Sequence, residues 1–564
     1  MFDSNASPAA LAVDAFVLLI YFTGIVGLGL WAGRRNRNLD EFALGGRSIP
    51  WWAVLASIVA AETSAATFLG TPAEGFKTRS FVFGQLTIGT ILARVLIAAT
   101  FIRPYYTYRV QSIYEFLEIR FGPMTRNLAS LIFLFTRVLG IGVRLYLGGA
   151  IIKVICQYLF AGLTVDLWIY FWGILFITLL TTMYTAVGGI KAVVWTDLIQ
   201  ATLMLSSMVL AIVLLIWAIP GGVPRVLAEL GGMPNFFQVG VNFSQGFWPA
   251  IKSMLEEPYT IAAALIGSTF FTMATHGTDQ DMVQRMLTAK DPQRAQLSLV
   301  LSGVADLPIA VCFLLVGILL WVYYQIHPDP NLPSADNEIF AHYIVSHMPI
   351  GVRGLIVAGV FATMMGSTSA ALNALATSFT KDFFLPYFPH RNSPAVAVTA
   401  ARVSTLVFGA LMLIVATVAA NAVLHDANLT IIPIALSSLG YTYGALLGVF
   451  LLGMLTRSRG RDLTNLFGMI AGIVAVLLLG RAKIPSLDLG AFFTSGQIKV
   501  VEWSPGFWLP SWLPAVSWPW WVLIGCAVCF GISVLFPTSR ARVAAMQDRR
   551  DGSELGLESG LSQA

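Results

Sequence analysis

The chain has 564 residues, of which 57% are hydrophobic and only 11% charged, whereas soluble domains carry about 25% charged residues. Apolar stretches of roughly 20 residues recur along nearly its whole length, which identifies an all-α integral membrane protein and leaves no room for a large soluble catalytic domain. The net charge of +5 does not mark a nucleic-acid binder, because the basic residues sit in short loops between apolar runs, as the positive-inside rule requires.

Taken in order, the apolar runs predict thirteen spans, numbered from zero so that the second, which is interrupted, becomes span one. They are Leu11–Gly33, Pro50–Gly70, Phe81–Phe101, Leu128–Leu159, Leu167–Ala186, Val193–Ile219, Tyr259–Gly277, Leu297–Tyr324, Ile350–Phe379, Val396–Ala420, Leu429–Leu455, Leu466–Leu479 and Trp518–Phe536. Met1–Ala10 has no basic n-region, so the first run is expected to stay as a membrane span. Cys156, Cys312, Cys526 and Cys529 all fall inside apolar segments, which indicates no disulfide framework; the Cys526-x-x-Cys529 pair has no second ligand pair and reads as small core residues. The tail after Pro537 is polar and expected to be irregular.

With the N-terminus outside, the Lys and Arg of the loops divide roughly 21 to 8 in favour of the inside, which supports an odd number of spans and a cytoplasmic C-terminus. Residues 50–219 and 258–455 then hold five spans each, separated by an extracellular loop at 220–257. An odd number of crossings turns the second half upside down relative to the first. Residues 1–33 form the outer end and span zero, 456–536 add two helices, and 537–564 form a cytoplasmic tail. Polar residues interrupt the opening span of each half: Glu62, Thr63, Ser64 and Thr67 in the first; Thr272, Thr275 and His276 in the second. Paired interruptions in inverted halves point to discontinuous helices one and six, a midplane site and alternating access.

The stretch IVAAETSAATFLGTPAEGF (58–76) cannot face lipid, since a carboxylate there costs several kcal/mol without a partner or cavity. A backbone that leaves helical geometry at this depth frees carbonyls for a hard cation such as Na⁺. Span eight carries Gly366, Ser367, Thr368, Ser369 and Asn373 in mid-membrane, with Thr363, Gly366 and Ser367 near one face. A single hydroxyl there usually bonds back to its own turn; a cluster beside freed carbonyls supplies an all-oxygen shell. Asp197, at the inner end of span five, is either an interfacial carboxylate that is solvated or paired with Lys191, or a relay or second cation position. Arg94, Arg137 and Arg144 lie deep in spans; each is either a structural partner of a carboxylate such as Glu62 or Asp306, or a fork for an anionic substrate. Phe270, Phe271, Tyr441 and Tyr443 line a substrate cavity or simply pack. No HExxH, nucleophile elbow, P-loop or dinucleotide fingerprint occurs in the sequence, so an enzyme reading has no motif.

Four segments carry a resemblance: DEFALGGRSIPWW (40–52), YTAVGGIKAVVWTDLIQ (184–200), GTDQDMVQRML (277–287) and STSAALNALATSFTKDF (367–383). In this order and spacing they resemble the sodium:solute symporter family, built on the five-plus-five inverted repeat first seen in a leucine transporter. The resemblance implies Na⁺ as co-transported ion, held by Ala60 and Thr63, mainly through carbonyls, with Ala362 or Thr363, Gly366 and Ser367. Gly366 and Ala370 stand where serines or threonines are common in the family, which leaves a second cation site, matched in half by Ser369 and Asp197, open. Glu62 occupies a place where proline-transporting relatives have an Asp involved in coupling. The segments at 64–76 and 188–197 look like the monocarboxylate, iodide and multivitamin branch, whereas 277–285 looks like the sugar-carrying and bacterial branches.

The expected function is therefore Na⁺-driven import of a small organic anion such as a monocarboxylate. The candidate solute contacts are Thr67, Arg94, Arg137, Phe271, His276, Ser437 and Tyr441. Alternatives are a sugar or amino-acid symporter, or a ligand sensor that keeps the fold. The expected surroundings are the lipid bilayer of the cell membrane and a small-molecule solute, with no nucleic acid, no obligate protein partner and no metal but sodium.

Overall fold

The computed structural model describes residues 8–33, 36, 38–159, 167–241, 243–388, 393–425, 431–481, 484–488, 499–503 and 514–548. Each of the thirteen expected spans falls on helix. In chain order the elements are α1 (Pro8–Ala32), the bent pair α2 (Trp51–Glu62) and α3 (Ala65–Thr78), α4 (Leu86–Thr100), a short loop helix α5 (Tyr114–Arg120), α6 (Pro123–Leu159) and α7 (Leu167–Ala218). There follow α8 (Ser268–Gly277), α9 (Gln280–Met286), α10 (Pro292–Ile326), α11 (Val352–Ser378), α12 (Pro394–His425), α13 (Ile431–Leu455), α14 (Asp462–Leu479) and α15 (Trp521–Val534).

Among the described residues, eight helices are individually long and apolar enough to cross a bilayer, and α2 with α3, bent by 66°, make a ninth. The break falls at Thr63 (φ −84°, ψ 103°) and Ser64 (φ −98°, ψ 171°), both extended. A β-branched residue followed by a serine is where a helix gives way most cheaply, because both favour extended backbone over helix interior. Thr63 N–H still donates to the Val59 carbonyl at 3.2 Å; the next bond, from Ser64 to Ala60, is not made.

In three places the architecture differs from the sequence reading. Spans four and five are one 52-residue helical run, α7, broken only at Gly189 (φ 57°, ψ −154°). A straight helix of that length would extend ~78 Å, more than twice the hydrocarbon thickness, so the Gly189 break divides two crossings. Helix six runs unbroken through Thr272, Thr275 and His276, and is interrupted afterwards, at Thr278 and Asp279. Asp279 is extended (φ −105°, ψ 124°), and its carboxylate accepts the Asp281 N–H at 2.8 Å to start α9. An Asp at that position caps a new helix better than it continues an old one. Third, the all-α architecture carries a small antiparallel ribbon between α14 and α15, β1 (Ile484–Asp488) on β2 (Lys499–Trp503). The C-terminal tail also holds more structure than its polarity implied. Residues 540–548 are helical, the Thr538 hydroxyl donates to the Gly460 carbonyl at 2.7 Å, and Arg542 donates to the Phe121 carbonyl.

At the centre stands α11. It has no charged residue between Arg353 and Lys381, and 94% of its most apolar window is buried, as expected of a helix that is apolar or small all round. Gly359 lies against Ser207 and Gly366 against Gln200, so α11 and α7 approach closely. Gly189 holds a conformation that only glycine adopts without strain, and a Cβ there would sit 2.5 Å from the Phe42 carbonyl oxygen. Replacing Gly189 by Ala is expected to cost about 1–3 kcal/mol and to lower the thermal unfolding temperature of the purified protein, whereas Gly46→Ala, in open space though also at positive φ, lowers it less.

Candidate functional site

The break in span one leaves the Ala60 carbonyl facing α11. A Cβ placed on Gly366 would lie 3.5 Å from the Ala60 oxygen, 3.0 Å from Gln200 Oε1 and 3.7 Å from Asp197 Oδ1. Three oxygens from α2 and α7 thus converge on one bare turn of α11. Asp197 Oδ1 and Gln200 Oε1 are both buried without a hydrogen-bond partner among the described residues, and an unsatisfied buried acceptor costs about 1–3 kcal/mol, more when charged. On α11 itself, Thr363 donates to Val360 O, Ser367 to Thr363 O at 2.9 Å and Ser369 to Gly366 O at 3.0 Å. Each hydroxyl bonds back to its own helix as a lone hydroxyl does, and this spends its proton and leaves its lone pairs free. Ala60, Thr63, Ala362, Thr363, Ser367 and Ser369 are all buried.

Asp197 is fully buried rather than interfacial, and its partner is not Lys191. Its Oδ2 accepts from Ser57 Oγ at 2.6 Å and from Arg285 Nη2 at 3.1 Å. Arg285, on α9, also donates from Nε to Ser57 at 2.9 Å and is ion-paired to Asp281. Asp281 in turn pairs with Arg137 on α6, which lies 3.3 Å from Asp279, and Asp279 accepts from Tyr443 on α13 at 2.5 Å. A continuous ladder of charge therefore joins spans one, five, six, three and ten. Gln284, one residue before Arg285, donates to Asn373 at 2.6 Å and to Thr377 at 3.1 Å, which fastens α9 to α11.

A second cluster lies beside the other end of the break. Arg94 Nη2 donates to Glu62 Oε2 at 2.6 Å and to Asp306 Oδ2 at 2.7 Å, and Nη1 donates to Ser302 at 2.7 Å. His276 Nε2 stands 2.7 Å from Glu62 Oε1 and Nδ1 2.9 Å from Thr275 Oγ1. Glu62 and Asp306 retain 14% and 23% side-chain exposure, whereas Arg94 has none.

Of the candidate solute contacts, Arg94 and Arg137 have their guanidinium groups committed to carboxylates, the structural-partner alternative raised for them above. Arg144, half-buried on α6, makes no ion pair or hydrogen bond among the described residues; Arg137, Tyr443 and Asp279 are its polar neighbours. Phe271 meets Trp518 edge-on at 5.7 Å and Tyr441 stacks on Trp521 at 4.7 Å, so both rings pack toward the start of α15. Thr67, in the first turn of α3, donates its N–H to Ser64 O at 2.9 Å. The side chain of Ser437 lies outside the described residues.

Sequence reasoning missed Ser57, Gln200, Asp279, Asp281 and Arg285 as members of the site. The signal was present: three ionisable residues in GTDQDMVQR next to an apolar span are too many for a lipid-facing helix. They read as loop because the interruption of span six was placed four residues too early.

A family profile described as "Sodium:solute symporter family" matches residues 42–472. The chain is 29% identical over 498 residues to the sodium/sialic acid symporter SiaT of Proteus mirabilis, covering 87% of this chain and 93% of that one. It is 29% identical to sodium-coupled monocarboxylate transporter 2 of Bos taurus, covering 83% of this chain and 71% of that one. Among solved structures it is similar in fold, with TM-score 0.73 and 24% identity over 93% of this chain and 97% of the other, to the substrate-bound outward-open state of a Na⁺-coupled sialic acid symporter.

Removing Arg285 leaves the fully buried Asp197 without a counter-charge and Asp281 with Arg137 alone. Arg285→Met is expected to destabilise the protein by about 3–5 kcal/mol, read as a lowered thermal unfolding temperature. Arg285→Lys, which keeps the charge without the fork, is expected to fall between that variant and the parent.

Proposed function

We propose that this chain, which belongs to the sodium:solute symporter family, imports a small organic anion together with Na⁺ by alternating access across the cell membrane. As a member of the family it is a multi-pass membrane transporter of a small solute coupled to sodium. The observation that carries the ion site is the convergence of Ala60 O, Gln200 Oε1 and Asp197 Oδ1 on Gly366. Among the described residues two of these oxygens have no hydrogen-bond partner, and a hard cation with oxygen ligands is what such a set accommodates. Thr363 and Ser367 add lone pairs from α11, and Ser369 with Asp197 widens the shell toward α7. Glu62, held by Arg94 and His276, stays outside this shell and couples through the break rather than by direct contact.

Charge balance supports both ligands. In the ladder three carboxylates, Asp197, Asp279 and Asp281, face two paired guanidinium groups, Arg137 and Arg285, so one negative charge remains for Na⁺ to neutralise. Arg144 then carries the unpaired positive charge, and a guanidinium fork matches a carboxylate. Relatives named for sialic acid and for monocarboxylates take acids by name, which agrees with an anionic solute here. The exposed faces of Glu62 and Asp306 favour a solute that also carries hydroxyl or amino donors, so the second reading is an acidic sugar or amino acid rather than a bare monocarboxylate.

Two halves, 50–219 and 258–455, opening on α2–α3 and on α8–α9, move against each other about this site, with the N-terminus outside and the C-terminus in the cytoplasm. Each Na⁺ that enters down the membrane potential contributes ~2.3 kcal/mol per 100 mV. Sodium and solute bound to one state raise each other's affinity for it.

Gly366→Val, which pushes a branched side chain into the three oxygens, is expected to abolish the thermal stabilisation by Na⁺ over K⁺. A Na⁺ response equal to the parent's rejects the ion site. Arg144→Gln is expected to keep that Na⁺ response while losing stabilisation by acids in a screen of carboxylates, acidic and neutral sugars and amino acids. Stabilisation by neutral sugars that survives in this variant and exceeds that by acids rejects the anion.

A further inference from the structure

Asp382 sits in the π-helical turn Phe379–Phe384 that closes α11 and is fully buried. Its Oδ2 accepts hydroxyls from Ser112 at 2.8 Å, Ser130 at 2.7 Å and Ser378 at 2.7 Å, while Oδ1 is buried with no hydrogen-bond partner. The other buried aspartates among the described residues, Asp14, Asp197, Asp279 and Asp281, are each ion-paired to an arginine. Asp382 has no such partner; the adjacent Lys381 turns instead to Glu115 at 3.6 Å.

An ionised carboxylate buried without a counter-charge costs several kcal/mol, and such a group takes up a proton instead. The geometry accommodates the neutral acid. Ser130 and Ser378 hydroxyls are 2.9 Å apart, so a proton on Oδ2 donated to one of them closes a ring in which each hydroxyl donates once and accepts once. Ser112 completes Oδ2 from outside the ring. The bare Oδ1 is then a carbonyl oxygen, whose lack of a partner costs far less than that of a charged oxygen.

We propose that Asp382, ringed by Ser112, Ser130 and Ser378, is a proton-binding site that ties the loop before α5, the first turns of α6 and the end of α11 together at the inner face. The groups facing it are few. From the α5 side come Tyr114 and Glu115, the latter accepting the Ser112 N–H at 3.3 Å. Burial holds the Glu115 carboxyl above the usual carboxylate range, against the pull of Lys381. From α6 only Ser130 reaches it, Arg126 being paired to Glu118 at 2.6 Å. From α12, Arg402 makes no ion pair with it, and from the turn after α11, Tyr387 bonds to Asn127. Glu115 and Lys381, neighbours of the ring, line a cavity of about 580 Å³ with Glu118, Arg126, Leu385 and Arg542; Asp382 itself does not line it.

The test is infrared difference spectroscopy on the purified full chain, parent against Asp382→Asn, from mildly acidic to mildly alkaline pH. The parent is expected to show a neutral carboxylic C=O band near neutral pH that the variant lacks. Because the folded chain holds this proton and the unfolded chain releases it, the parent loses thermal stability as pH rises, and the Asn variant loses less. Identical carbonyl spectra overturn the proposal, as does a carboxylate band that responds to Na⁺, which would make this a cation site. Should Asp382→Asn not fold, Ser378→Ala and Ser130→Ala replace it: a shift of the same band supports the ring, and an unmoved band overturns it.

Discussion

Arg285 is the group on which the rest of the site hangs. In a bilayer no charge can be left to solvent, so each ionised side chain inside the bundle must find its partner there. One guanidinium meets this demand for Asp197 on α7 and Asp281 on α9 at once, while Ser57 on α2 accepts from it and donates to Asp197. The five donors of a rigid fork make this possible; a lysine ammonium could not span the same three elements with fixed geometry. Since the ladder continues through Arg137 to Tyr443, the broken helices of the two halves are held by electrostatics rather than by shape alone.

That arrangement bears on coupling. The Asp197 oxygen that has no hydrogen-bond partner among the described residues is on the same carboxylate whose other oxygen meets Arg285. At the proposed ion site, a positive charge beside Gly366 would compete with Arg285 for that one carboxylate, and α9 would be held less tightly with the ion bound. Gln284 links α9 to α11 at Asn373 and Thr377, so α9 is fastened to the helix that carries Gly366.

The Arg94 cluster follows the same rule with a different balance: two carboxylates share one guanidinium and a histidine, and they keep part of their surface accessible. Asp382 is the contrasting case, met by hydroxyls alone. Both clusters reach elements of each half, so the inverted repeats are joined by polar contacts at the break and at the end of α11.

How much of this was legible in the sequence follows from the range of each signal. Membrane helices are dictated locally, because about twenty apolar residues match a bilayer whatever surrounds them, and so the apolar segments read from the sequence fall on helix. The break after Glu62 was legible as well: a carboxylate and three hydroxyl residues within an apolar run, as in ETSAAT, have no lipid-facing solution. The ladder was not, because Ser57, Asp197, Asp281 and Arg137 are up to 224 positions apart in the chain and nothing local tells an aspartate which arginine will reach it. The same limit explains Arg94, Arg137 and Arg144, indistinguishable as buried cations in sequence, of which tertiary packing pairs two and leaves the third with no ion pair among the described residues. Length and polarity along the chain determined which segments cross the membrane and where one must open; only the folded bundle decided which charges cancel, since Coulomb pairing in a low dielectric depends on distances in space that the order of residues does not contain.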